Sequence, residues 1–160
     1  MSHEAHGLGA GPGPRALTGE QATHLLGAQR FGALATNKTS GHPHLSTVVY
    51  TWDADQQVIR VSTVADRLKV RHLHKDPRAA LYVASDDFWS YAVAEGEAEL
   101  SPVSSVPGDE VGRELLAMQP GFEPRDQDAF LRRVVADRRL VIRLRVSRLY
   151  GTALDVPPAG

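Results

Sequence analysis

The sequence predicts a mainly β protein with a few helices, built as a six-stranded antiparallel barrel. Three observations carry this. Six segments have strand composition or strict period-two patterning. The early ones are joined by turns too short for a crossover, so their neighbours are antiparallel. Helical segments do not alternate with strands, which excludes a doubly wound parallel sheet. Six antiparallel strands in one small domain favour closure, because closure removes exposed edges.

The elements follow in order. Residues 1–16 are rich in Gly and Pro and bury almost nothing, so they read as a flexible tail. Thr18 and Gln21 have the spacing of a capping box and open a short helix through Leu25 and Leu26. Phe31 to Thr36 is a short strand of small residues, and Thr39 to Pro43 is a turn in which Gly41 supplies backbone freedom. His44 to Trp52 is a β-branched and aromatic strand, and Val58 to Thr63 pairs back on it. Asp66 reads as the N-cap of a helix to about His74, stopped by Asp76-Pro77. Ala79 to Ala84 is an apolar strand. From Tyr91 to Leu100, Ala92, Ala94, Gly96, Ala98 and Leu100 share one face against Tyr91, Val93, Glu95, Glu97 and Glu99. Helices follow over Glu110 to Met118 and Gln127 to Ala136, then a last strand from Leu140 to Val146. The expected organisation is a tail over 1–16, one domain over 17–152 and a C-terminal tail over 153–160.

Composition narrows the function. Eighteen basic and nineteen acidic residues give a formal charge of -1, without the basic excess that nucleic-acid binding requires. No polybasic anchor and no long apolar run points to a membrane. The absence of cysteine excludes disulfides, thiolate metal sites and a thiol nucleophile, and a cytoplasmic location is expected. Neither a G-x-S-x-G elbow nor a P-loop is present, so hydrolase and nucleotide triphosphatase readings have no support.

The most informative stretch runs from Val61 to Arg71. A strand ends in the hydroxyls Ser62 and Thr63, and cations follow at Arg67, Lys69 and Arg71. Positions two apart on a helix point about 200° from each other. Arg67 and Lys69 therefore converge only if Arg67 sits at the loop-to-helix junction and Lys69 in the first turn. There the free N–H groups and the positive dipole end complete an anion pocket suited to phosphate. The alternative is an exposed basic helix start, although cations at that end oppose the dipole unless an anion is bound.

The segment ADRLKVRHLHKDPRAALYV, followed by SDDFWSYAVAEGEAELSP, resembles the split β-barrel family of flavin- and deazaflavin-binding oxidoreductases, the pyridoxamine 5′-phosphate oxidase-like superfamily. It is most similar to the actinobacterial branch that uses coenzyme F-420, a deazaflavin. FGALAT, GHPHLSTVVY and VSRLYG match as well, and the strongest motif is Arg-x-Lys-x-Arg-x-Leu-x-x-Asp-Pro-Arg from Arg67 to Arg78. The resemblance implies an FMN-binding-like split barrel and a homodimer whose two cofactor grooves are lined by both subunits. It implies that Arg67 and Lys69 contact the cofactor phosphate, with Ser62 and Thr63 on the adjoining strand edge and Thr47 and Val49 under the ring. Trp89 would reach the groove from the partner, or else pack. Arg71 would contact the cofactor tail or lie on the surface. The chain lacks the Arg-containing C-terminal elements that hold pyridoxal phosphate in true pyridoxamine phosphate oxidases, which disfavours vitamin B6 oxidation. The implied activity is hydride transfer between F-420 and a small electron-poor molecule such as an enone, quinone or bilin-like system. FMN dependence and a non-catalytic carrier or sensor are the alternatives.

The remaining candidates weigh less. His42 and His44 lack the further ligands that zinc needs, and His72 and His74 face apart on a helix, so no metal site is expected. Asp86-Asp87 reads as a turn. Tyr50 is the nearest proton-donor candidate but reads better as an ordinary strand aromatic, and no catalytic residue is assigned.

Overall fold

The protein is described by a computed structural model covering residues 13–155. The chain forms β1 (Pro14–Ala16), α1 (Gly19–Ala28), β2 (Phe31–Asn37), β3 (Pro43–Asp53), β4 (Val58–Val64), α2 (Leu68–Lys75), β5 (Arg78–Ala84), β6 (Ser90–Leu100), α3 (Glu110–Ala117), α4 (Pro124–Ala136) and β7 (Arg139–Leu154). The sheet order is β1-β7-β4-β3-β2-β5-β6, and a β6–β7 pairing closes the ring. All pairings are antiparallel, so β2 to β7 form the six-stranded barrel that the sequence predicts.

The differences lie at the edges. Pro14–Ala16 pairs with Thr152, Ala153 and Leu154, so the N-terminal tail expected over 1–16 and the C-terminal tail expected from 153 both end in a two-stranded clasp. The rest of those tails, 1–12 and 156–160, lies outside the described residues. The last strand runs well past Val146 because a register shift opposite Glu95/Gly96 leaves Ser147 unpaired. That bulge reverses the in-and-out parity. Leu140, Ile142, Leu144 and Val146 point inward before it and Leu149 after it.

Local chemistry accounts for the helices. The Thr18 side chain accepts from Gln21 N while the Gln21 side chain accepts from Thr18 N, the full capping box. Asp109 caps α3 by accepting from Gly112 N. Gly41 adopts φ 93°, a left-handed value that only glycine takes without strain. Inside the barrel, Leu34, Ile59, Leu81, Ile142 and Leu144 are fully buried. Helices α3 and α4 cover the outside of β7, where Val111, Leu115 and Val134 bury Val141. Glu114 of α3 reaches down to Arg60 and Arg143, tying α3 to the sheet by ion pairs.

Candidate functional site

A groove of about 1050 Å³ runs along the outer face of β3 and β4. Thr47 and Val49 of β3 and Ser62 of β4 line it, on the outward parity of their strands. Arg67 and Lys69 enter from the start of α2, the α3–α4 connection adds Met118 and Pro120, and α4 adds Phe130. The groove therefore unites six of the eight residues marked by the sequence: Thr47, Val49, Ser62, Thr63, Arg67 and Lys69.

The geometry at α2 is the one that the alternating cations require. Arg67 is the N-cap residue, in extended conformation, and Lys69 lies in the first turn. Asp66 is not the cap as expected; the helix starts one residue later and receives no side-chain cap. A carboxylate at this end would satisfy the N–H groups internally, so its absence leaves them facing outward with the positive dipole end. Among the described residues neither Arg67 nor Lys69 has a carboxylate partner. Lys69 is half-buried, and its Nζ donates only to Ser46 Oγ, at 3.3 Å. Burial, then the charge of Arg67, lowers its pKa from the ordinary lysine value. This is an ammonium held short of counter-charge.

Three cations that the sequence reading missed share the groove: Arg30, Arg133 and Arg139. Antiparallel pairing sets Arg139 opposite Val64, and its Nη1 donates to Ser62 Oγ at 3.2 Å. Asp137, bridging Arg133 and Arg139 at 3.4 and 3.7 Å, is the one carboxylate in the lining among the described residues. One other expectation, for Thr63, is corrected. Thr63 is only 5% exposed, on the inward parity of Val61, so it borders the groove without presenting its side chain. Tyr50 is 3% exposed and its hydroxyl donates to Leu26 O at 2.5 Å, the ordinary strand aromatic that the sequence favours. Burial pushes its phenol far up. Arg71 and Trp89 do not line the groove of their own chain.

The family model for pyridoxamine 5′-phosphate oxidase matches residues 18–152. The chain belongs to this family. Similar solved structures include an F420 reductase, 24% identical over 79% of this chain and 93% of that one, with a TM-score of 0.57. A conserved hypothetical protein from Mycobacterium tuberculosis is 18% identical, with 90% and 91% covered and a TM-score of 0.70. An FAD-binding protein from Mesorhizobium loti is 20% identical, with 89% and 97% covered and a TM-score of 0.62. At these identities the structures share the fold. Family membership makes the chain an oxidoreductase of the flavin or deazaflavin type.

The groove of this pyridoxamine 5′-phosphate oxidase family member fits such a cofactor on its own chemistry. A half-buried lysine without counter-ion and an uncapped helix start suit a phosphate, and the Thr47–Val49 strip suits a flat ring. A second cavity, of about 640 Å³, lies between β1, α1 and the β5–β6 turn. Its polar groups largely satisfy one another, through Arg15 with Gln21 and Asp155 and Gln29 with Asp86. It contains none of the predicted site residues.

Beneath Lys69 lies a basic cluster that pairs histidines from two elements. His44 of β3 and His72 of α2 meet edge to face at 5.1 Å, and His72 Nδ1 is 3.0 Å from the buried Thr36 hydroxyl. His44 Nδ1 is buried without a partner among the described residues. Burial, followed by the charges of His72, Lys38 and Lys69, lowers the His44 pKa below its ordinary 6.5. The folded state therefore binds fewer protons than the unfolded chain just below that value. Stability is full above pH 6.5 and falls as the pH drops through the lowered folded value. Melting temperatures from pH 7 to 5 should decline in the wild type, and His44→Asn should flatten the decline. An equal slope in both proteins would contradict this assignment.

An apolar sheet face adjoins the groove. Phe31, Leu45, Val49, Tyr82 and Tyr150 are exposed on the outside of the barrel. Cross-strand register sets Phe31 beside Val49, and runs Thr47, Ala33, Tyr82, Val93 and Tyr150 in one row. A continuous apolar patch of this kind marks an interaction surface.

Proposed function

We propose that this chain is a coenzyme F-420-dependent oxidoreductase, acting in the cytoplasm as a homodimer with shared grooves. The observation that carries the reading is the unpaired Arg67–Lys69 corner beside a flat strip of β3. Five cations against one carboxylate in the lining favour a ligand with more than one anionic group. The deazaflavin carries a phosphodiester and carboxylates, whereas FMN carries a single phosphate. When bound, the deazaflavin supplies hydride to an electron-poor double bond of an enone, quinone or bilin-like substrate.

The protein's contribution is positional. Arg67 and Lys69 fix the phosphate end, the β3 strip supports one face of the ring, and the α3–α4 connection keeps water from its flank. No side chain of the groove is assigned as acid or base; the proton is supplied by solvent or by a groove hydroxyl. The exposed face around Phe31 and Tyr82 supports the homodimer, which covers it with a second copy.

Reconstitution tests the reading. Purified protein titrated with F-420 and with FMN should bind the deazaflavin. Its reduced form should then be oxidised by a member of an enone, quinone and bilin panel. Tight yellow binding of FMN with none of the deazaflavin would overturn the cofactor assignment. Deazaflavin binding without turnover on the whole panel would instead favour a carrier or sensor.

A further inference from the structure

We infer that Asp137 is an internal counter-ion that a ligand's second anionic group displaces from Arg133 and Arg139, so that Asp137 sets the affinity for that group. This rests on the phosphate corner proposed above and goes beyond it in naming the residue that opposes binding.

Asp137 is poorly placed for its own helix. It is the C-cap of α4, where a negative charge meets the negative end of the helix dipole. The next residue, Arg138, takes φ 54°, the left-handed value that glycine usually supplies after a helix. What the position does provide is a carboxylate between two guanidinium groups of the groove.

Those contacts are loose. Arg133 Nε and Arg139 Nε approach the same oxygen, Asp137 Oδ2, at 3.4 and 3.7 Å, against about 2.8 Å for a well-formed charge-assisted bond. Glu114, elsewhere on the outer face, shows the contrast. It accepts from Arg60 Nε and from Arg143 Nε at 2.9 Å each, and it engages Arg143 with both oxygens. Glu114 clamps α3 to the sheet, whereas Asp137 makes long contacts with the exposed Arg133 and the partly exposed Arg139. Pairs of that kind contribute little and exchange readily.

Arg139 does not need Asp137 to hold its place. Its Nη1 donates to Ser62 Oγ at 3.2 Å, and register sets it opposite Val64 of β4. Val64 O accepts from Arg67 N at 3.2 Å. Arg139 and the α2 corner therefore meet at one residue, and a phosphate at the corner brings an adjoining anionic group to Arg139. A carboxylate oxygen there replaces Asp137 Oδ2 with shorter bonds, against the repulsion of the displaced aspartate. A ligand with one phosphate engages the α2 corner and leaves Asp137 where it is.

Fluorescence titration with F-420 and FMN in parallel tests this, since the first carries carboxylates beside its phosphate and the second does not. Asp137→Asn should tighten F-420 binding about two- to five-fold and leave FMN unchanged. The melting temperature of the free protein should hold or rise, because asparagine removes the charge opposed to the dipole. Arg139→Gln should weaken F-420 about ten-fold with little effect on FMN. The decisive arm is the double variant: in the Arg139→Gln background, Asp137→Asn should lose most of its gain. An unchanged or weaker F-420 affinity in Asp137→Asn overturns the inference, as it would for a carboxylate that merely holds the arginines. An equal gain for FMN, or an equal gain without Arg139, also overturns it, because overall charge then explains the effect. These outcomes leave the phosphate corner standing. Wild-type protein that binds FMN but no F-420 overturns the cofactor reading itself, and this inference with it.

Discussion

Lys69→Ala is expected to weaken cofactor binding by about 10- to 100-fold, the span of one charge-assisted hydrogen bond to an anion. The Lys69 ammonium is half-buried, has no carboxylate partner among the described residues, and has its pKa lowered by burial and by Arg67. In the free protein this charge is therefore slightly unfavourable, and its favourable partner is the ligand. The substitution should leave the melting temperature of the free protein unchanged or raised, and should shrink the increase that saturating cofactor produces. Arg67→Ala should act in the same direction but less strongly, because Arg67 is exposed and its charge is screened. Arg71→Ala should have no effect on binding, since Arg71 lies outside the groove. Fluorescence titration checks all three. An unchanged affinity in Lys69→Ala would reject the phosphate assignment.

The largest effect on stability is expected at Gly96. It sits at the register shift where β6 and β7 close the barrel, opposite Val146. A Cβ placed on Gly96 would collide with the carbonyl oxygen of Arg145, and its next contact, also backbone, is the carbonyl carbon of that residue at 2.8 Å. Backbone paired along the full β6–β7 seam cannot move aside as a flexible side chain would. Gly96→Ala should therefore cost about 3 kcal/mol or more, which lowers the melting temperature by roughly 6–12 °C in a domain of this size. Thermal denaturation followed by far-ultraviolet circular dichroism measures it. A near-wild-type midpoint would mean that the seam is looser than this register implies. Gly41→Ala is a control for backbone strain alone, since Gly41 has a left-handed φ but open space around its Cα.

What the sequence revealed was whatever nearby residues determine. The Thr18–Gln21 capping box, the β3–β4 hairpin and the α2 stop at Asp76-Pro77 depend on residues within a few positions, and each stands where it was expected. The end of β7 was hidden because the Ser147 bulge breaks the period-two pattern, which made Leu149 look out of phase. Strand β1 was hidden because Pro14–Ala16 has no strand signature of its own and forms only by pairing with Thr152–Leu154. The site divides in the same way. Arg67 and Lys69 form a local motif, whereas Arg139 enters the groove through its pairing with Val64, 75 positions earlier in the chain. No local pattern encodes that contact, and the same holds for Arg30 and Arg133. Thr63 was misread because two adjacent strand hydroxyls cannot both face the groove; the pleat turns Ser62 outward and Thr63 inward.

The central claim is that the groove on β3 and β4 holds a deazaflavin by its phosphate at the start of α2. A crystal structure of the protein with bound F-420 tests this most directly. A phosphate oxygen should lie about 3 Å from Lys69 Nζ, with the ring along Thr47 and Val49. Cofactor density in the cavity beside α1, among Arg15, His24 and Gln29, with the α2 corner free of phosphate, would contradict it.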